Sequence, residues 1–113
     1  MERARRLRKG TEFDTAYSKG TVVGSSLFAV RYVQNGLTET RWGFAVGKRI
    51  ARKAVDRNRA KRRIREVARG LSVAQGVDLI VVARAPSLIA TASELSEGLR
   101  SVLERARLMI IAP

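Results

Sequence analysis

The sequence predicts an α+β fold, a mostly antiparallel sheet of about four strands with two helices packed on one face. Alternating side chains at 27–33 and β-forming residues at 41–46 predict two strands, and a nearly continuous apolar run at 77–83 predicts another. Apolar residues recur at helical spacing over 60–71 and again over 95–106. These observations together fix the class of the fold before any element is placed.

The N-terminal part is predicted to form a basic arm and a short helix. Residues 1–9 are rich in Arg and lack an apolar pattern, which is typical of a flexible basic arm. Thr11 and Asp14 have the spacing of a capping box, and Phe13 and Tyr17 follow on one side of the predicted helix. This spacing suits core packing as well as a platform for a nucleic-acid base.

A β-hairpin is predicted to follow this helix. Alternation over 27–33 places Phe28 on one face of the strand and Arg31 on the other. Asn35-Gly36 is a turn signal, and the segment 41–46 supplies the return strand. Bulky aromatic residues in such strands more often belong to the core than to a binding surface.

A strongly basic helix is predicted next, and Gly70 stands in its C-cap position. One stripe of about 100° is apolar and must face the core: Ala60, Ile64, Val67, Ala68 and Leu71. The adjoining arc is polar and cationic: Asn58, Lys61, Arg62, Arg65 and Arg69. Arg59 and Arg63 flank the stripe on its other side, and Arg57 projects close to the stripe, where the helix should meet its sheet.

The C-terminal part is predicted to contain a buried strand and a last helix. The run at 77–83 is apolar on both faces, as in a central strand. Thr91 and Glu94 form a capping box, and the helix that follows has a clear apolar stripe from Leu95 to Ala106. Because no repeat, linker or low-complexity tract interrupts the chain, we expect one domain over residues 1–113.

The charge is large and concentrated. The chain has 113 residues with 23 Lys and Arg against 10 Asp and Glu, a formal net charge of +13. Residues 41–69 carry twelve Lys and Arg against two acids, whereas residues 70–113 carry four against four. Charge that served only solubility would be spread evenly along the chain. The concentration of positive charge over 41–69 therefore predicts a polyanionic partner.

The absences in the composition restrict the chemistry. The chain has no Cys and no His, which excludes disulfides, thiolate or imidazole metal sites and histidine-based ribonuclease chemistry. No window approaches the roughly 20 apolar residues of a membrane span. We expect a cytoplasmic protein with no membrane partner and no small-molecule substrate.

The most specific motif is RNRAKRRIRE at 57–66. Arg side chains bind phosphate oxygens bidentately, and an Asn can donate and accept at a base edge or a 2′-hydroxyl. Together with RLRKGTEFDTAYSKG at 6–20, the whole segment 41–66 and DLIVVARAP at 78–86, this motif resembles the protein subunit of bacterial ribonuclease P. The resemblance runs over nearly the whole chain.

The resemblance implies a non-catalytic role for the polypeptide. In that family a large catalytic RNA, which holds the Mg²⁺ ions together with the substrate, cleaves the 5′ leader from precursor tRNA. The expected partners are therefore the catalytic RNA and precursor tRNA. The elements predicted above follow one another as helix, two or three strands, basic helix, strand and helix, which with three strands is an α-β-β-β-α-β-α order. The family adds a left-handed crossover from the third strand through the basic helix to the fourth, whereas such crossovers are usually right-handed.

The resemblance also assigns site residues. The catalytic RNA is expected to contact the basic helix at Arg57, Asn58, Arg59, Lys61, Arg62 and Arg65. The 5′ leader is expected in a cleft formed by Phe13, Tyr17, Phe28 and Arg31, with Lys48 and Arg49 at its rim. Several family members carry an aromatic residue where this chain has Arg31, which can stack or bind phosphate. The segment 48–54 is itself densely basic, which suggests phosphate contacts from Lys48, Arg49, Arg52 and Lys53.

Two other functions fit parts of the sequence. A ribosomal or other structural RNA-binding protein would have similar charge and size, but its binding would not depend on a tRNA leader. A protein-only nuclease would need carboxylates that converge on Mg²⁺, and Asp56, Glu66 and Asp78 have no recognisable metal-ligand spacing. No residue of the sequence justifies naming a protein ligand for a metal.

Overall fold

A computed structural model describes residues 20–110, so the basic arm and the helix predicted before residue 20 lie outside the described residues. Four strands, two α-helices and a short 3₁₀ turn follow one another along this part of the chain. In chain order they are β1 (Thr21–Gly24), β2 (Phe28–Gln34), β3 (Arg41–Ala45), α1 (Ala54–Arg69), β4 (Val77–Ala83), the 3₁₀ turn (Ala85–Leu88) and α2 (Ala92–Arg105).

The strands form one mixed sheet in the order β1-β2-β4-β3. β1 pairs with β2, and β2 with β4, in antiparallel register, whereas β3 pairs with β4 in parallel. The predicted fold class is confirmed. β3 and β4 are parallel neighbours joined through α1, which is the crossover that the family resemblance implies. The left-handed sense of this crossover stays a prediction.

The predicted hairpin between the second and third strands is wrong. The turn at Asn35-Gly36 does form, with Gly36 at a φ of 72°, but β4 lies between the two strands that the turn was expected to pair. β4 is buried at six of its seven positions, and a strand that is apolar on both faces is most stable with a neighbour on each side. The actual hairpin joins β1 to β2, and β1 was too short to be recognised in the sequence.

The pairing register divides the side chains of the sheet between two faces. Val30 lies opposite Val81, and Phe44 pairs with the same Val81, so these residues share the first face. Arg31 lies opposite Ile80 on the second face. This division decides which predicted site residues can lie on one surface.

Both helices pack on the first face, as predicted. Ile64 and Ala68 of α1, together with Leu99 of α2, belong to one buried cluster with Phe28 and Leu79 of the sheet. Each fully buried aliphatic or aromatic side chain contributes about 1.5–3 kcal/mol to this packing. Among residues 20–110, neither helix is long and apolar enough to cross a membrane.

The capping box predicted at the start of α2 is confirmed. The Glu94 backbone N–H donates to Thr91 Oγ1 (3.1 Å), and the Thr91 backbone N–H donates to Glu94 Oε1 (2.9 Å). The bond from the Thr91 backbone, followed by the contact with its side chain, lowers the pKa of Glu94 below its ordinary value. A lowered folded-state pKa stabilises the helix start above the unfolded-state pKa, and this contribution is lost as the pH falls through the folded-state pKa.

A buried ion pair fixes the amino-terminal end of the parallel pair. Arg41 on β3 donates from Nε and Nη2 to the two carboxylate oxygens of Asp78 on β4, each at 2.8 Å. Asn35 Nδ2 donates to the same carboxylate at 2.8 Å, and Asp78 is only 4% exposed. The turn after β2 and the start of β3 are thereby attached to the central strand.

We expect Asp78→Ala to lower the free energy of unfolding by about 3 kcal/mol, because it removes the shared acceptor of a buried pair. Denaturant unfolding measures this loss. The exposed Glu97 offers a matched control, since Glu97→Ala should change stability by no more than about 0.5 kcal/mol. Equal losses for the two variants would show that the Asp78 network does not stabilise the fold.

Candidate nucleic-acid interface

α1 presents a cationic surface on the side opposite its core contacts. Asn58, Arg59 and Arg62 are exposed, whereas Lys61 and Arg65 are half-buried along one seam of the helix. The predicted apolar stripe is confirmed on the other side by the burial of Ile64 and Ala68 and by the packing of Ala60, Val67 and Leu71 against the core. The helix therefore separates a core-facing side from a solvent-facing side, as its sequence pattern predicts.

The seam of α1 beside β3 contains an arginine and two aromatic rings in succession. The Arg65 Cζ lies 5.6 Å from the centroid of the Phe44 ring, a cation–π distance. The Phe44 ring in turn stacks on Trp42 with centroids 5.8 Å apart and an interplanar angle of 4°. Trp42 is 5% exposed, which agrees with the expectation that bulky aromatic residues of these strands belong to the core. The half-buried Phe44 was missed in the sequence, where nothing distinguishes it from a core residue.

Arg57 holds the loop that precedes α1. Its Nη1 donates to the carbonyl oxygens of Ala51 (3.0 Å) and Arg52 (2.6 Å). Arg57 is half-buried, but its bonds reach the loop before α1, whereas the sequence predicted a position at the seam between the helix and the sheet. Arg57 is therefore a positioning residue for the loop, and its contact with RNA stays a prediction.

The loop itself gathers four cations at the amino-terminal end of α1. The Gly47 carbonyl oxygen accepts from the backbone N–H groups of Ile50 (3.3 Å) and Ala51 (3.2 Å), which closes a turn. The four predicted phosphate-binding side chains on this turn are all exposed: Lys48, Arg49, Arg52 and Lys53. Because the amino-terminal end of a helix also carries partial positive charge, the loop extends the cationic surface of α1.

One arginine of the basic segment faces inward. Arg63 donates from Nη1 to the Leu88 carbonyl oxygen (3.4 Å) and from Nη2 to the Ala90 carbonyl oxygen (2.5 Å). These bonds attach α1 to the segment that leads into α2. Arg63 therefore stabilises the packing of α1 against the segment before α2. Because its guanidinium is bound to these carbonyl oxygens, Arg63 does not belong to the exposed cations of α1.

Little negative charge compensates the exposed cations. Across residues 20–110 the ion pairs are Arg41 with Asp78, and Arg69 with Glu66 at 3.4 Å on the surface of α1. In this part of the chain Arg59, Arg62 and the four loop cations have no carboxylate partner. Like charges at helical spacing repel, so a polyanion bound along this surface would relieve their repulsion.

Besides Arg41, which is bound to Asp78, two arginines lie on or beside the second face of the sheet. Arg31 projects from β2 on this face, opposite Val22 of β1 and Ile80 of β4. Arg84 follows β4, and its Nη2 lies 2.8 Å from the position that a Cβ of Gly24 would occupy. A Cβ at position 24 would displace the guanidinium of Arg84 from this place. Arg84 was missed in the sequence, because its proximity to Gly24 depends on the pairing of β1, β2 and β4.

The predicted leader cleft needs a correction at Phe28. Its side chain lies on the first face and is 0% exposed, so it belongs to the core and cannot stack on a base. The reason is the alternation of β2, which points Phe28 and Arg31 to opposite faces. Phe13 and Tyr17 lie outside the described residues, so their place in the cleft stays a prediction.

Comparison with known proteins assigns the chain to a family. The sequence profile of ribonuclease P matches residues 1–107. The chain belongs to the ribonuclease P protein family. The predicted resemblance is thus confirmed over almost the whole sequence.

Relatives and solved structures agree with this assignment. The ribonuclease P protein component of Symbiobacterium thermophilum is 39% identical over 112 residues, which cover 96% of each chain. The structure of the Staphylococcus aureus RNase P protein has a TM-score of 0.80 and 31% identity, covering 96% of this chain and 100% of that one. The RNase P protein from Thermotoga maritima has a TM-score of 0.78 and 28% identity, covering 88% and 96%.

Membership of the ribonuclease P family implies an RNA partner within a ribonucleoprotein and a place in tRNA processing. The exposed cations of α1 and its loop have the charge that such a partner requires. Of the predicted RNA-contacting residues, Asn58, Arg59, Arg62 and the four loop cations are exposed, Lys61 and Arg65 are half-buried at the seam, and the guanidinium of Arg57 bonds the loop.

We expect Arg59→Ala and Arg62→Ala each to weaken binding of a cognate catalytic RNA and to reduce the slope of log K against log salt by about 1. Each loses an exposed cation from α1. Filter binding over a range of salt concentrations measures both quantities. Arg100→Ala, which removes an exposed cation from α2, is the charge-matched control and should leave the slope unchanged. A similar reduction in all three variants would mean that only net charge matters.

Arg57→Lys should weaken RNA binding without changing the salt slope. The substitution keeps the charge, but a lysine cannot reproduce the fork that bonds the carbonyls of Ala51 and Arg52. Limited proteolysis should show faster cleavage within residues 48–53 in this variant. Unchanged affinity and unchanged proteolysis would contradict the positioning role.

Proposed function

We propose that this chain is the non-catalytic protein component of a cytoplasmic ribonuclease P. It binds the catalytic RNA through α1 and the loop before it, and it holds the 5′ leader of precursor tRNA on the second face of the sheet. The observation that supports the RNA-binding role best is the set of exposed cations without carboxylate partners among residues 20–110: Arg59 and Arg62 on α1, and Lys48, Arg49, Arg52 and Lys53 on the loop before it.

The side chains on this surface suit folded RNA. Arg59 and Arg62 present planar guanidinium groups that match two phosphate oxygens at once. Asn58 lies between Arg57 and Arg59 in sequence and is exposed, so its amide is available for a base edge or a 2′-hydroxyl. Phosphate contacts would supply affinity, and the amide contact would fix the register of the helix on the RNA.

The second face suits a single strand. Arg31 lies opposite Val22 of β1, and Arg84 lies beside Gly24 of the same strand. Because Val22 and Gly24 are two residues apart, these two positions on β1 are separated by about 7 Å along the strand. This spacing is comparable to that of neighbouring phosphates in an extended strand. Backbone contacts of this kind tolerate any sequence, which a subunit that meets many different leaders requires. Phe13 and Tyr17 remain the proposed stacking residues of the same cleft.

Magnesium is assigned in this proposal to the RNA. Among residues 20–110, no three carboxylates gather into a group that could hold a metal ion. Asp78 accepts hydrogen bonds from Arg41 and Asn35, and Glu94 caps α2. These residues do not fit a protein-held Mg²⁺. The protein would act instead by screening phosphates and binding the leader, which raises the affinity for precursor tRNA by linkage.

Reconstitution with a cognate catalytic RNA tests the proposal. Cleavage of precursor tRNA at low Mg²⁺ should depend on the protein, whereas the RNA alone should need a higher Mg²⁺ concentration. The purified protein without RNA should leave the precursor intact. Equal cleavage with and without the protein at every Mg²⁺ concentration would contradict the proposed role.

The leader site has its own test. Arg84→Ala and Tyr17→Ala should weaken binding of precursor tRNA to the reconstituted holoenzyme by about tenfold, the loss of one charged or stacking contact. Both should spare mature tRNA, which has no leader. Arg100→Ala is the charge-matched control for Arg84→Ala. Equal losses for precursor and mature tRNA would place these residues outside the leader site.

A further inference from the structure

A separate concave surface lies at the carboxyl-terminal end of α1. It is a cavity of about 830 Å³ between the turn before β3 and the segment that connects α1 to β4. Trp42, Ala68 and Leu71 supply apolar lining, whereas Glu39, Arg69 and Ser72 supply polar groups. Its size lies within the range of about 300–1,000 Å³ that is typical of ligand sites.

The cavity adjoins the cationic surface of α1. Asn58, Arg62 and Arg69 project within about 40° of one another around the helix axis, and Arg69 lies about 10 Å beyond Arg62 along the axis. Arg69 is therefore both the last cation of this surface and part of the cavity lining. An RNA backbone that follows the exposed side of α1 would reach the cavity at Arg69.

The chemistry of the lining excludes some occupants and favours another. Glu39 and Arg69 are its charged lining residues, and Arg69 is also paired with Glu66, so the cavity has no excess of positive charge that would concentrate a free phosphate. Apolar lining beside a few hydrogen-bonding groups suits a flat, partly apolar, hydrogen-bonding body. A nucleobase has this character, and its own phosphate would lie outside at Arg69.

We infer that this cavity binds the base of one unpaired guanine nucleotide of the RNA that α1 binds, with the adjacent phosphate on Arg69. A carboxylate only accepts hydrogen bonds, and the Watson–Crick edge of guanine offers two neighbouring N–H donors to Glu39. The ion pair of Arg69 with Glu66 is exposed on both sides, at 56% and 62%, so sharing Arg69 with a phosphate costs little. This inference rests on the proposed function, which supplies the RNA.

The chain contains an intrinsic fluorescent reporter for this site. Trp42 is the single tryptophan of the sequence and lines the cavity. Its fluorescence should change when the full-length protein is titrated with guanosine monophosphate, and the half-saturating concentration should be about tenfold lower than for the adenosine or uridine monophosphate. Inorganic phosphate should leave the emission unchanged. An equal response to phosphate, or no response to any of the nucleotides, would overturn the inference.

Two variants extend the test to the RNA complex. Glu39→Gln, on an exposed turn, should abolish the preference for guanosine over adenosine monophosphate. Ser72→Phe should fill the cavity and weaken binding of the catalytic RNA by about tenfold without changing the salt slope, because no cation is lost. A guanosine preference that survives Glu39→Gln would overturn the inference, and so would a Ser72→Phe variant that binds the RNA as tightly as the wild type.

The outcomes separate this inference from the proposed function. If the wild-type protein supports precursor cleavage at low Mg²⁺ but no nucleotide changes the fluorescence of Trp42, the guanine site is refuted and the proposed function stands. If the wild-type protein binds no catalytic RNA, the proposed function is refuted, and so is the inference that the cavity binds a nucleotide of that RNA.

Discussion

The burial of β4 between β2 and β3 is the constraint on which the rest of this structure depends. Apart from Asp78, its side chains are apolar on both faces, so the strand gains most by pairing on both edges and packing on both faces. β3 pairs with the other edge of β4 in parallel, so the chain must return through a crossover connection, which is α1. The basic helix thus lies across one face of the sheet because of a strand that contains no basic residue.

The arginines of this chain fall into two groups with different functions. Arg41, Arg57 and Arg63 bond carboxylate or carbonyl oxygens inside the protein and hold segments of the chain together. Arg59 and Arg62 remain exposed on α1 and concentrate positive charge. A protein with an excess of cations can satisfy only some of them internally, and the others destabilise the isolated fold until an anion binds. Binding of a polyanion would therefore stabilise the fold by relieving the repulsion between these cations.

The proposal gives separate tasks to separate surfaces of the protein. Folded RNA would lie along α1 and its loop, and the single-stranded leader would lie on the second face beside Arg31 and Arg84. The cavity at the carboxyl-terminal end of α1 would add one base contact to a surface that is otherwise electrostatic. Electrostatic contacts alone give affinity that depends strongly on salt, whereas a base contact adds discrimination.

Much of this protein was determined by its sequence alone. The period of the apolar residues gave α1 and α2 with their core-facing stripes, the capping box at Thr91 and the buried strand at 77–83, because these features depend on neighbours within a few residues. The exposed cations of α1 followed from the same helical period. Its charge and motif were sufficient to indicate an RNA partner.

Only the tertiary structure decided which strands pair and which side chains meet across them. The turn at Asn35-Gly36 resembles that of a hairpin, yet the gain from burying β4 on both sides outweighed this local signal. The same long-range pairing buried Phe28, brought Arg84 to Gly24 and formed the concave surface that Trp42 lines. Such contacts join residues far apart in the chain, and local spacing carries no information about them.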